Sequence, residues 1–175
     1  MKKILACLLV ALCTLSCVQD KVQTNPPPVT SVSVEVKSPS APLLVFVEDM
    51  EYVLPSTDWE SVTSNKPEVK SMASNKKEQN LVVMVKEKYA GEYDEYVLSN
   101  IRSLKDQGAF VVGATQSDLN GLKWVFVDST KNDVRLLQWI TVRNGFGYSL
   151  SCGGKGDPEL QLQVCQQIAN TLKLN

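Results

Sequence analysis

The sequence predicts an α+β domain, an antiparallel β-sheet sandwiched between helices in an α-β-α arrangement, and three observations predict it. Two amphipathic helical patterns flank a series of strand-like segments. Those segments are joined by short turns rich in Asn and Gly. The central strands carry apolar residues on both faces, and a sheet that is apolar on both sides needs cover on both sides.

Met1-Lys2-Lys3 is a positively charged start, and Ile4 to Leu15 is an apolar run too short for a permanent membrane helix. This pattern is an export signal. It ends Thr14-Leu15-Ser16-Cys17, and the small residue before a cysteine resembles the lipobox of bacterial lipoproteins, in which that cysteine is acylated and becomes the new N-terminus. Thr14 stands where that motif usually has Leu. The rival, Cys13, follows the larger Leu12 and suits the cleavage site less well; ordinary cleavage nearby, with Cys17 incidental, is the alternative. Several acyl chains, each contributing about 0.8 kcal/mol per buried CH₂, would hold the protein permanently on a membrane. Val18 rather than Asp follows the cysteine, which by resemblance to enterobacterial lipoproteins implies sorting to the outer membrane, facing the periplasm.

Removing 17 residues from 175 leaves 158, the length of one domain with one hydrophobic core. Removing Lys2 and Lys3 from the 18 basic residues leaves 16 against 19 acidic ones, a formal charge of −3, which argues against nucleic acid as a partner. The chain has no His. A Ser-His-Asp or Cys-His nucleophile, a His-ligated metal site and an imidazole pH switch are therefore excluded.

Residues 18–42 contain Pro26-Pro27-Pro28, then Thr, Ser, Val and Lys, then Pro39 and Pro42, with no aromatic residue. Such a segment has little to bury and is expected to be a disordered, partly extended tether, with a reach on the order of 25–30 Å if it behaves as a flexible coil. The folded domain spans residues 43–175. Leu44 to Val47 and Tyr52 to Leu54 are short β-type runs, Trp59 to Thr63 and Val69 to Ala73 are weaker ones, and Leu81 to Val85 is a continuous apolar strand of the buried kind. The Lys-, Asn- and Ser-rich stretch from Asn65 to Asn80 reads as a loop or an exposed hairpin end.

Tyr93, Val97 and Ile101 recur every four residues, with Tyr96 and Leu104 beside them and Gly108 as a stop, so residues 92–107 form a helix. Glu92, Asp94 and Glu95 lie in its first turn and Lys105 in its last, which suits the helix dipole. A four-stranded meander follows: Ala109 to Gln116, Leu122 to Asp128, Val134 to Arg143 and Phe146 to Cys152. Centring the last hairpin on Asn144-Gly145 pairs Thr141 with Tyr148, Trp139 with Leu150 and Leu137 with Cys152. Centring the middle one on residues 130–133 pairs Trp124 with Trp139, Phe126 with Leu137 and Asp128 with Arg135. Both registers put the aromatic residues on one face and Val125, Val127, Leu136, Ile140 and Val142 on the other. Asp157 is a good N-cap and Pro158 fits the first helical position of a final helix, in which Leu160, Val164, Ile168 and Leu172 recur with Cys165 and Ala169 beside them. That helix is expected to cover the Trp face.

Cys7 and Cys13 leave with the signal and Cys17 takes lipid, so the domain retains Cys152 and Cys165. An oxidising envelope compartment favours one bridge between them over two buried free thiols. The bridge would close a loop of about 14 residues, worth roughly 3 kcal/mol by chain entropy.

The order of elements, Tyr52 to Trp59 (similar to an F-x-x-P-x-x-W opening), Leu119-Asn120-Gly121, and Gly147 to Cys152 followed by Ile168 to Leu174 resemble the PsbP-like family, including its DcrB- and LpqN-type bacterial envelope proteins. The resemblance spans residues 44–175. It implies an α-β-α sandwich on an antiparallel sheet. It also implies a non-catalytic role, because members are mostly accessory, assembly or ligand-binding proteins with no shared catalytic set.

Candidate sites are few. Gly153-Gly154-Lys155-Gly156 lies where a phosphate loop would sit, but it lacks the Walker spacing and is followed by the acidic Asp157. Ser74-Asn75-Lys76-Lys77 has a Ser-x-x-Lys spacing without its companion motifs. Glu48, Asp49 and Glu51 could hold a cation or do acid/base work, although their spacing favours a solvated edge. Trp124 and Trp139 read as core, with a sugar or lipid platform as the alternative. Tyr89, Tyr93 and Tyr96, around the start of the first helix, form the expected contact patch. No metal, cofactor or catalytic residue is expected. The functional expectation is a lipid-anchored, non-catalytic envelope protein that contacts an envelope protein or component through a sheet edge or the groove beside the first helix. The alternative is a carrier that holds a small lipid or glycan between sheet and helix, in a cavity lined by Trp124, Trp139 and Tyr148.

Overall fold

A computed structural model describes residues 41–175. The expected export signal, Cys17 and nearly all of the expected tether lie outside the described residues. Among the described residues ten strands and two helices follow one another: β1 (Leu43–Val47), β2 (Met50–Leu54), β3 (Glu60–Ser61), β4 (Val69–Asn75), β5 (Asn80–Lys88), α1 (Tyr93–Asp106), β6 (Phe110–Leu119), β7 (Leu122–Lys131), β8 (Val134–Arg143), β9 (Phe146–Gly154), α2 (Pro158–Thr171) and β10 (Lys173–Leu174). Seven strands make one antiparallel sheet in the order β3-β4-β5-β9-β8-β7-β6, and a second sheet has the order β1-β2-β10.

The meander forms as its turns dictate. Asn120, Asn132, Asp133 and Asn144 all have positive φ, as do Gly121 and Gly145, so each connection is a tight two-residue turn. The last hairpin has the expected register, with Thr141 opposite Tyr148, Trp139 opposite Leu150 and Leu137 opposite Cys152. The middle hairpin departs from expectation by two residues: Phe126 lies opposite Trp139, Asp128 opposite Leu137 and Thr130 opposite Arg135. The turn there is Asn132-Asp133 rather than a four-residue loop, because both residues adopt the left-handed conformation. A two-residue slip preserves the faces, since side chains alternate with period two. Asp128 and Arg135 still meet, as diagonal neighbours joined by an ion pair at 2.6 Å.

The two faces therefore build two cores. On one side Trp124, Leu137, Trp139, Tyr148 and Leu150 pack with Met50, Tyr52 and Leu54 of the small sheet, with Val164 and Ile168 of α2 and with Leu172 just after it. On the other, Leu81, Val83, Val127, Leu136 and Ile140 pack with Tyr96, Val97 and Leu104 of α1. Cys152 and Cys165 form a disulfide that fastens β9 to α2.

One expected core position of α2 fails. Leu160 is 49 % exposed, while Gln161 is buried in its place. A strict four-residue row drifts by about 40° per step on a helix of 3.6 residues per turn, so Leu160 and Leu172 cannot face the same surface. The contact line instead runs through Gln161, Val164, Cys165, Ile168 and Leu172. The helix start is as expected, with the Asp157 carboxylate accepting from the backbone N–H groups of Glu159 and Leu160 at 2.8 and 3.0 Å.

Candidate functional site

In and beside the turn between β1 and β2, Glu48 is exposed, as a solvated edge would have it, while Asp49 and Glu51 are partly buried and each of the three acids is paired. Asp49 uses both carboxylate oxygens: the Lys86 ammonium donates to one at 2.8 Å and the Tyr148 hydroxyl to the other at 2.7 Å. Glu48 pairs with Lys70 at 3.0 Å and with Lys86 at 3.3 Å, and Glu51 with Lys173 at 3.1 Å. Lys86 also sits 4.6 Å above the Phe146 ring. The hydrogen bond from Lys70 holds Glu48 below its ordinary pKa. Burial works against the charged form of Asp49, but Lys86 and Tyr148 outweigh it and lower its pKa. Burial first, then the Asp49 carboxylate, pushes Tyr148 up to about 12. These acids face ammonium groups and a phenol, not each other, so they lack the facing pair that acid/base hydrolysis requires. The pairing has a tertiary cause: Lys70 and Lys86 come from β4 and β5.

The expected tyrosine patch is largely used up by packing. Tyr96 is 1 % exposed, donates its hydroxyl to Glu87 at 2.9 Å, and lies against Tyr89 with ring centroids 4.7 Å apart. Its ring fills space left by Gly147, where an added Cβ would come within 2.2 Å of the ring. Tyr93 is half-buried beneath the ammonium of Lys123, 4.6 Å from its ring centre. Only Tyr89 and the flank of Tyr93 remain accessible. The glycine segment after β9 serves packing too: a Cβ at Gly153 would lie 2.1 Å from the Arg135 carbonyl oxygen, and one at Gly154 2.0 Å from that of Gln79. Ser74 is buried in β4 whereas Lys77 is exposed in the following turn, so the Ser-x-x-Lys spacing builds nothing.

Trp124, Trp139 and Tyr148 are 1, 3 and 1 % exposed, so the layer between sheet and α2 is filled with side chains at the place where a carrier cavity was expected.

What stays open is the outer margin of the large sheet. Its two edge strands differ. β3 has two residues and is flanked by a Glu60–Lys76 ion pair at 2.6 Å. β6 has ten residues, most of them exposed, and carries no charge from Phe110 to Ser117. Natural edges are usually blunted by charge, proline or brevity. β6 has only a bulge, between Val111 and Gly113. Phe110 and Val112 are 70 and 59 % exposed and border an open depression of about 670 Å³, whose far wall includes Arg135 and Pro158. A second depression, of about 360 Å³, lies further along β6, with Phe126 and Trp139 at its base and Gln166 and Asn170 of α2 across from Thr115 and Ser117. β6 is more polar after Val112 than the covered strands, with Gly113, Thr115, Gln116 and Ser117, but such composition by itself marks a weak strand and not which strand of the sheet ends up at the margin.

No family model matches the chain, and no curated protein is similar to it in sequence. Similarity appears at the level of structure. The solution structure of the cyanobacterial PsbP protein CyanoP from Synechocystis sp. PCC 6803 superimposes with a TM-score of 0.62 at 14 % identity, covering 85 % of this chain and all of that one. A crystal structure from Bacteroides thetaiotaomicron VPI-5482 gives a TM-score of 0.52 at 12 % identity, over 74 % of this chain and 47 % of the other. The domain has the PsbP-like fold: an antiparallel sheet with two helices packed on it.

Proposed function

We propose that the chain is a lipid-anchored protein of the bacterial cell envelope, of the DcrB- and LpqN-like kind, whose domain is non-catalytic and binds an envelope protein by accepting an extended segment of it along β6. The export signal ending at Cys17 supports the anchoring. The long, solvent-facing edge of β6, free of charge from Phe110 to Ser117, carries the binding reading. A free edge presents unpaired N–H and C=O groups that a partner strand satisfies, and Phe110 and Val112 supply an apolar contact beside them. The clamped acids and the absence of His argue for contact rather than reaction.

Site-specific photo-crosslinking in cells tests this reading. A crosslinker at Val112 or Gln116 should capture one envelope protein, and one at Lys105 on the exposed side of α1 should not. Successive residues of an antiparallel strand direct their hydrogen-bonding groups to opposite sides, so one of Ala114→Pro and Thr115→Pro removes an outward donor. That variant should lose the adduct while remaining folded. Equal adducts from β6 and α1 would end the edge reading. For the anchor, Cys17→Ser should abolish palmitate incorporation and release the protein from the membrane fraction.

A further inference from the structure

We propose that the groove between β6 and α2 is a binding site for a neutral glycan, a site separate in its chemistry from the strand-accepting edge. It is open and about 360 Å³ in volume, and its base is formed by Phe126 and Trp139, whose ring centroids lie 5.0 Å apart at 43°. Phe126 is half-buried and Trp139 supports it from β8. The walls are neutral and polar: Thr115 and Ser117 on one side, Gln166 and Asn170 on the other.

None of these four side chains makes a hydrogen bond within the described residues. Two amides and two hydroxyls thus face a common space with their donors and acceptors free. Side-chain amides present a donor and an acceptor side by side, which matches the vicinal hydroxyls of a sugar ring, and the C–H face of such a ring packs on an aromatic ring. The charge pattern narrows the choice of ligand. No Lys or Arg lines the groove to balance an anion, and no Asp or Glu to balance a cation. A lipid chain would need a more enclosed, more apolar cavity than this polar-walled one. A neutral polyhydroxyl compound suits both the base and the walls.

NMR titration of the folded chain with two neutral disaccharides, N,N′-diacetylchitobiose and maltose, tests the proposal, with decanoate as the lipid-like comparison. At least one sugar should shift the side-chain amides of Gln166 and Asn170 and the indole N–H of Trp139, and saturate in the millimolar range. The double variant Gln166→Ala/Asn170→Ala alters two exposed residues and should fold normally, with affinity for that sugar weakened about tenfold or more, the loss expected for roughly 1.4 kcal/mol of hydrogen bonding. No shift with either sugar at tens of millimolar overturns the proposal, as does a shift that the double variant leaves unchanged. Shifts produced by decanoate but by neither sugar overturn it in favour of an apolar ligand, and shifts spread along the β6 backbone alone assign the ligand to the strand edge.

Discussion

The middle and the margin of the large sheet are built from the same alternating strands and behave as opposites. In β8 and β9 nearly every side chain is buried, because α1 lies on one face and α2 with the small sheet on the other. In β6 seven of ten residues are exposed and only Leu119 is buried, and its apolar side chains Phe110 and Val112 face water. The helices are too narrow to span seven strands. Stability is concentrated where both layers overlap, and the strand left outside the overlap is available for contact.

The largest test of this contrast is a pair of truncations. Trp139→Ala in β8 should cost about 3–5 kcal/mol in urea denaturation, and Phe110→Ala in β6 should stay within about 0.5 kcal/mol. Similar losses at the two sites would remove the distinction. Next in size, replacing both cysteines with serine should cost roughly 3 kcal/mol, because the disulfide fastens α2 to the middle of the sheet by closing a short loop. Gly147→Ala should cost about 1–3 kcal/mol, since the new methyl group would collide with the Tyr96 ring and lift α1 from the opposite face; a Tyr96→Leu background should recover part of that loss.

The smallest effects are those of pH, and they sharpen the contrast by isolating the clamp over the middle strands. Asp49 has a lowered pKa in the folded state, so its contribution is present above the unfolded value and is lost as pH falls below about 4. Tyr148 has a folded pKa raised to about 12 from 10, so its contribution is complete below the lower value and is lost as pH rises through that interval. Asp49→Asn should flatten the stability profile at the acid end and reduce the alkaline loss at Tyr148, as measured by urea midpoints across the pH range. An unchanged profile in that variant would show that the clamp does not couple the small sheet to β5 and β9.

Much of the fold was legible in the sequence because it is written in short-range pattern. Asn120-Gly121 and Asn144-Gly145 set two turns, period-two alternation sorted the meander into two faces, and Asp157-Pro158 marked the start of α2. The misread middle hairpin shows the margin of that method: an Asn-Asp turn with both residues left-handed was less recognisable than Asn-Gly, and the register moved by two. The site was far less legible. Tyr96 was expected both beside the apolar row of the helix and in the contact patch, and only the glycine at 147, distant in the chain but close in space, opened a slot that buries it.

The sequence by itself determined most of the segments that become helix or strand, which side chains of the meander share a face, and that Cys152 and Cys165 were the pair left in the domain; it did not mark β10 or the exposure of Leu160. Local stereochemistry and hydrophobic periodicity act over a few residues and need no knowledge of the rest. The tertiary structure alone decided that β5 lies beside β9, that β10 completes a second sheet with β2, that Lys70 and Lys86 reach the acids of the first turn, and that β6 is the strand left uncovered. Each of these is a meeting of residues far apart in the chain, chosen by how the layers fit together, and no local pattern encodes that choice.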